Sequence, residues 1–329
     1  MAKNSGFIEK VKGELMFSIY IKYMKLINYI KRPEYIFRPL QIYRRILHSQ
    51  KKNTDNFEYV YLPWDVEIKV CPHEVIGRSL WTVGIYELSV TEVLWRLIDQ
   101  GEIAIDVGAN IGYMTSIMAK KVGQQGKVWC FEPQADIYKQ LSENIKNWQV
   151  SLNWNHIRSY RLALSNKIGE GTLVRPKNFI NNRGTAYIKL SQGFVNKDEA
   201  IHADLVELST LDKIADTQEK LGIMKIDVEG HELEVLEGAI NLLKNYKIRD
   251  IIFEEHNNYP TQVTQFLEKY GYVIFRITKG LWKPWLKSPM RQITQQYWEP
   301  VNYLATLEPE RAIYRLQKRG WNSLYNANL

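Results

Sequence analysis

Ile103-Ala104-Ile105-Asp106-Val107-Gly108-Ala109-Asn110-Ile111-Gly112-Tyr113 is the stretch on which the fold turns. A short apolar run ends in an aspartate, and a turn of small residues follows. A helix-forming stretch from Tyr113 to Lys121 comes next. That order reads as a buried strand feeding a tight turn into a helix. Such a turn offers backbone amides and the positive helix end to a ligand. The spacing of Asp106, Gly108 and Gly112 does not fit the dinucleotide fingerprint G-x-G-x-x-G.

Outward from this stretch, strands and helices alternate. The first strand is Ile103–Val107, and its helix is Tyr113–Val122. A second strand, Lys127–Phe131, precedes a helix over Gln134–Asn147, with Ile137, Leu141 and Ile145 at helical spacing. A third strand is expected over Ile157–Ala163. The region 165–207 is more irregular, with a hairpin of Gly171–Val174 and Thr185–Leu190. A fourth strand, Ile223–Val228, leads to a helix over His231–Leu243. A fifth, Asp250–Glu255, leads to a helix over Thr261–Tyr270. A sixth is Tyr272–Ile277, with Val301–Leu307 returning antiparallel beside it. Before the alternation, Glu67-Ile68-Lys69-Val70 predicts a small antiparallel pair, and Ser89 is placed to cap a helix running to Asp99. This alternation implies a doubly wound α/β sheet with helices on both faces and ligands at the carboxyl ends of its strands. The domain reading is a basic amphipathic arm at 1–52, a β/helical lead-in at 53–100, the main domain at 101–310 and a tail at 311–329.

With 329 residues, 45% hydrophobic and 24% charged, the chain has the composition of a globular protein. Its charge is uneven. Residues 1–52 hold twelve Lys or Arg against three Asp or Glu, a net of +9. The whole chain nets +8, so the remainder nets −1. A body without net positive charge argues against nucleic acid as a partner. Lys22 and Lys25 interrupt the apolar residues of the arm, so no apolar stretch there reaches spanning length, and the same lysines argue against a secretory leader. The arm is suited either to peripheral contact with the inner face of an anionic membrane or to packing on its own body or on a second subunit of a homodimer. Cys71 and Cys130 cannot build a disulfide framework, so a reducing cytoplasm is the default location.

Chemistry gathers at three strand ends. Glu132, before Pro133, is placed to accept hydrogen bonds from the ribose hydroxyls of an adenosine cofactor, or to serve as a first-turn acid of the next helix. Ala163, in Leu162-Ala163-Leu164, is placed to flank an adenine. Asp227, Glu229 and His231 follow the fourth strand, and Glu254-Glu255-His256 ends the fifth. Two neighbouring strand ends bearing acids and histidines form a candidate acid–base site. His231 or His256 is then the candidate base, oriented by Glu229 or Glu255. Glu232 reads as a first-turn helix acid. Asp227, His231 and His256 are also ligand types for a divalent metal, but no H-E-x-x-H spacing supports one, and a metal is not favoured. Trp282, Trp285, Tyr297 and Trp298 suit either sugar stacking or the core.

These stretches together resemble the FkbM family of methyltransferases. The residues that carry the likeness are Gly84-Ile85-Tyr86-Glu87, Ile105-Asp106-Val107-Gly108-Ala109-Asn110-Ile111-Gly112, Phe131-Glu132-Pro133 and Ile226-Asp227-Val228-Glu229-Gly230-His231-Glu232. The likeness covers residues 80–277. It implies a class I methyltransferase (Rossmann-like) fold with a seven-stranded, mostly parallel sheet. It implies S-adenosylmethionine as cofactor and O-methylation of a sugar, glycan or natural-product acceptor. Asp106, Gly108, Asn110 and Glu132 carry over as cofactor contacts, with Ala109 and Gly112 in the same loop; read from the residues alone, Asp106 and Asn110 either contact the cofactor or brace the turn by accepting backbone hydrogens. Asp227 carries over as a residue near the methyl group. Tyr86 and Glu87 would close over the site. Two other classes share parts of the pattern: a nicotinamide-dependent oxidoreductase, and a non-catalytic membrane or glycan adaptor.

Overall fold

A computed structural model describes residues 32–38, 57–176, 183–189, 200–215, 218–290 and 301–324. Apart from residues 32–38, the basic arm lies outside the described residues, as do Tyr297 and Trp298.

The described chain opens with a short helix, α1 (Pro33–Phe37), whose Pro33 occupies an early position where an amide has no helical partner anyway. The expected antiparallel pair follows as β1 (Glu58–Tyr61) and β2 (Glu67–Val70). Next come α2 (Val75–Val83) and α3 (Leu88–Leu97). Ser89 does not cap α3. The helix starts earlier, with Glu87 at the N-cap, because Leu88 is itself a core residue.

β3 (Ile103–Val107), α4 (Tyr113–Val122) and β4 (Lys127–Phe131) occupy the residues that the pattern predicts. α5 (Ala135–Leu152) runs further than expected. β5 (Ile157–Tyr160) is shorter than expected, because the chain leaves the main sheet and β6 (Ala163–Leu164) joins a second one. That second sheet has the order β6-β9-β7-β8, with β7 (Gly169–Pro176), β8 (Tyr187–Lys189) and β9 (Ala200–Ser209). The expected hairpin is β7 with β8. β9 is an addition to the sequence reading, since Asp204 and Glu207 break up its apolar pattern.

α6 (Leu211–Ile214), capped by Thr210, precedes β10 (Leu221–Ile226). The single helix expected over 231–243 is two, α7 (Glu232–Glu237) and α8 (Ile240–Lys244). The Asp212 carboxylate accepts the amides of Asn241 and Leu242 at 2.9 and 3.1 Å and so gives α8 a start of its own. β11 (Ile248–Glu255), α9 (Gln262–Lys269), β12 (Val273–Lys279), β13 (Pro284–Lys287), β14 (Val301–Thr306) and α10 (Pro309–Leu316) complete the described elements.

Among the described residues the main sheet has eight strands, in the order β13-β12-β14-β11-β10-β3-β4-β5. The expectation of seven is corrected by β13, which folds back on β12 as an edge hairpin. β5, β4, β3, β10 and β11 are parallel, and β14 runs antiparallel between β11 and β12. Ala104, Val128 and Ile223 pack one face against Leu94, Ile117 and Leu141 of α3, α4 and α5. Ile105, Met224 and Phe253 pack the other against Val235, Leu242 and Leu267 of α7, α8 and α9. The lead-in belongs to the first of these cores through Trp64 and Ile68. The residues after α10 do too. Arg96 donates to the carbonyls of Lys318 and Gly320 at 2.7 and 2.6 Å, and Trp321 is fully buried. Among the described residues, no helix is long and apolar enough to cross a membrane.

From β3 the chain winds outward to β4 and β5. From β10 it winds the other way to β11. The strand order therefore reverses between β3 and β10, and the carboxyl ends of this pair open a crevice.

Candidate active site

The crevice leads into a cavity of about 430 Å³. That lies within the range of roughly 300–1,000 Å³ usual for small-molecule sites. Its wall combines Gly108 and Asn110 after β3, Glu132 after β4, Leu162 and Ala163 after β5, Asp227, Glu229 and His231 after β10, and Glu254 of β11.

The turn after β3 is built for close approach. Gly108 has a φ of +79°, and a Cβ there would overlap the carbonyl oxygen of Asp227. The missing side chain thus lets the β3 and β10 turns touch, and the Asp227 amide donates to the Val107 carbonyl at 3.0 Å. Gly112 serves packing instead. A Cβ there would meet Leu141 at 2.7 Å and Trp148 at 3.1 Å, both on α5. Gly112 and Ala109 therefore do not reach the cavity wall. Ala109 is buried, and its amide donates to Phe131 at 3.0 Å.

Asp106 is also absent from the wall. It is fully buried beneath the turn, where its Oδ2 accepts the Thr115 hydroxyl at 2.6 Å. The pleat explains this correction: Asp106 points to the α4 side of the sheet, whereas the cavity lies beyond the strand end.

Glu132 does line the cavity. Its Oε2 accepts the Asn110 amide at 3.0 Å, and its Oε1 accepts the Gln134 amide at 2.9 Å. Burial pushes its pKa up to about 7, against the pull of those two amides. Further hydroxyl donors would favour its charged form. Phe131, stacked on Tyr160 with centroids 4.9 Å apart, joins Leu162 and Ala163 as the apolar wall beside it.

At the opposite wall four carboxyl groups converge: Glu87, Asp227, Glu229 and Glu254. Lys225 stands behind Asp227, with Nζ 2.8 Å from Oδ2 and only 3% of the residue exposed. Burial pulls the Lys225 pKa down, but Asp227, Glu87 and Asp106 outweigh it and raise the balance. Burial and then Asp227 push Glu229 up to about 7. Burial and then Asp227, Glu87 and Glu229 push Glu254 up to about 9. Glu229 sits in the turn after β10, at a φ of 53°. Glu232 holds that turn, its Oε1 accepting the amides of Val228 and Gly230 at 3.3 and 3.2 Å. Tyr86 and Glu87 close the wall from the turn before α3. The hydroxyl of Tyr113 accepts the Tyr86 amide at 3.2 Å and so ties that turn to α4.

His231 reaches the wall, but its Nε2 meets the Ser165 hydroxyl at 3.0 Å, and burial lowers its pKa. His256 does not reach the wall. Its side chain is 61% exposed, and its Nε2 lies 3.4 Å from Glu254 and 3.9 Å from Glu229. Glu255 is not on the wall either. It accepts the Asn257 amide at 3.0 Å and braces the loop after β11. The acid facing the cavity from β11 is Glu254, its neighbour.

Glu254 takes the place that the sequence gives to Glu255, and Lys225 is the main residue missing from the candidates read there. Lys225 had a signal, a lone charge inside the apolar strand Ile223-Met224-Lys225-Ile226, since buried lysines are almost always paired. Arg32, Glu34 and Tyr35 of the α1 segment also line the cavity. That segment is held by Glu34 to Lys279 at 2.9 Å and by Phe37 edge-on to Trp282. Trp282 and Trp285 are half exposed and away from the cavity wall. Among the described residues, no group of three or more His, Cys, Asp or Glu is placed to hold a metal ion.

Residues 106–274, just over half of the chain, match the family described as the methyltransferase FkbM domain. The hexuronic acid methyltransferase AglP of Haloferax volcanii is 27% identical over 190 residues, which cover 56% of this chain and 68% of that protein. The methyltransferase sdnD of Sordaria araneosa is 29% identical over 211 residues, covering 55% and 76%. A solved structure of methyltransferase FkbM from Methylobacillus flagellatus KT aligns with a TM-score of 0.40 at 17% identity, covering 62% of this chain. This chain spans 43% of that longer protein.

Proposed function

The chain belongs to the FkbM methyltransferase domain family and is a methyltransferase, and from that premise we propose that it methylates a hydroxyl of a sugar, glycan or natural-product acceptor with S-adenosylmethionine as donor. The observation that carries this reading is one cavity joining an amide-clamped acid, Glu132, to the carboxyl cluster of Asp227, Glu229 and Glu254, with the Gly108–Asn110 turn between them. The substrate class in the name of the relative AglP, a hexuronic acid, supports a sugar acceptor in general.

The residues suit such a donor. Glu132 would hold the two ribose hydroxyls, Phe131, Leu162 and Ala163 the adenine, and the turn at Gly108 and Asn110 the amino-acid tail. When bound, the donor supplies a methyl carbon activated by a positively charged sulfur. The carboxyl groups at the ends of β10 and β11 favour that positive charge. Asp227, fixed by Lys225, is the acid assigned to the acceptor's hydroxyl, whose proton must leave as its oxygen is methylated. The walls also align two reactants, an effect that can reach an effective molarity of about 10⁵ M or more.

Calorimetric titration with S-adenosylmethionine and with nicotinamide dinucleotides, followed by labelled methyl transfer to glycans, tests the proposal. Binding of the methyl donor alone, with label entering glycan, is the expected result. Absence of donor binding would sink it.

A further inference from the structure

Resting on the reading just given, we propose that the acceptor is an uncharged sugar ring and that the cavity rejects an acidic ring such as a uronic acid. Among the described residues the wall carries six carboxyl side chains, Glu34, Glu87, Glu132, Asp227, Glu229 and Glu254, of which Glu34 is paired with Lys279, against two cationic ones, Arg32 and Arg183. Arg183 is already engaged: its Nε lies 2.5 Å from Glu74 Oε1, and its Nη2 donates to Glu74 and Gln140 at 2.8 and 2.9 Å. Lys225 lies behind the wall, in its ion pair with Asp227. Arg32 stands on the α1 segment beside Glu34 and Tyr35.

The end assigned to the acceptor repels negative charge most strongly. Glu229 and Glu254 both approach the same His256 ring, at 3.9 and 3.4 Å, and each is raised by burial first and then by neighbouring carboxylates. Another carboxylate brought there would meet the same repulsion. Neutral hydroxyls instead donate to the ionised carboxyls and accept from the protonated ones. Besides Phe131, the wall presents two further aromatic residues, Tyr35, which is 3% exposed, and Tyr86. Aromatic faces suit the C–H face of a sugar. Carboxyl groups beside aromatic rings thus match a polyhydroxylated, uncharged ring.

The test uses labelled S-adenosylmethionine and pairs of glycosides that differ only in carrying a hydroxymethyl or a carboxylate at the same carbon. Products are separated by anion exchange. The neutral member should be labelled with a kcat/KM at least about 100-fold higher, the scale of a like-charge clash in a binding site. Glu229→Gln should narrow the gap about tenfold by raising uronate labelling. Glu87→Gln serves the same purpose if the first variant does not fold. Equal or preferential labelling of the uronates overturns the proposal, as does a ratio that neither folded variant changes. A selective loss of uronate labelling in Arg32→Ala would also overturn it, by making that arginine a carboxylate anchor. No label in either pool, with donor binding intact by calorimetry, removes the glycan reading and this inference with it.

Discussion

Glu132 and Glu254 are acids on the wall of one cavity, yet their surroundings differ. Glu132 receives two backbone amides, one at each oxygen. Glu254 faces Asp227, Glu87 and Glu229, with Lys225 and a solvent-facing histidine beside it. An acid held by amides has a fixed direction and makes a good anchor for hydroxyl groups. An acid held among like charges keeps or loses its proton according to what enters the site. One wall therefore suits recognition and the other chemistry.

The sharpest test of that division is Asp227→Asn. Turnover should fall about 10²–10⁴-fold, the usual contribution of a positioned proton acceptor. The donor dissociation constant should move only a few-fold. A matching loss of donor affinity would erase the distinction between the two walls.

A second effect is expected from pH. The folded-state pKa of Glu254, about 9, lies above its ordinary value of 4.5. Between those values the folded chain holds a proton that the unfolded chain has released. This contribution to stability is therefore complete below about pH 4.5 and is lost as pH rises through about 9. Urea unfolding of the ligand-free protein at pH 6 and pH 9 should show a drop on the order of 4 kcal/mol from this group, which Glu254→Gln should remove from the total. Equal slopes in both proteins would mean that Glu254 titrates like an exposed acid.

Glu132→Gln addresses the other wall. It should weaken donor binding by roughly 10–30-fold in calorimetry, in line with the loss of charge-assisted hydrogen bonds. Its kcat at saturating donor should stay within a few-fold of wild type. The smallest change is expected from His256→Ala. An exposed side chain that meets the cavity only through Glu254 should alter turnover less than about fivefold. A hundredfold loss would restore the base role that the sequence suggests for it.

Much of the fold was legible because local patterns carry it. The run Ile103–Val107, the small-residue turn and the stretch Tyr113–Val122 each follow from side-chain periodicity, and they occur at those residues. Glu132 was legible because an acid directly after a buried strand has few alternative positions. β9 was less legible, since its pairing with β7 and β6 depends on residues 24 to 45 positions away. The α1 segment at the cavity has no signal in its own sequence beyond Pro33. Its place depends on Lys279 and Trp282, distant in the chain.

From its sequence alone, this protein is committed to a parallel sheet with a glycine turn at its centre and acids at its strand ends. Tertiary structure alone decided which of those acids face the cavity. Adjacent strand residues point to opposite sides, so Glu254 and Glu255 exchange roles with a one-residue change of register, and so would Asp106 and its neighbours. That register is settled by pairing with β10 and β14 and by packing under the helices, which no local stretch of sequence contains.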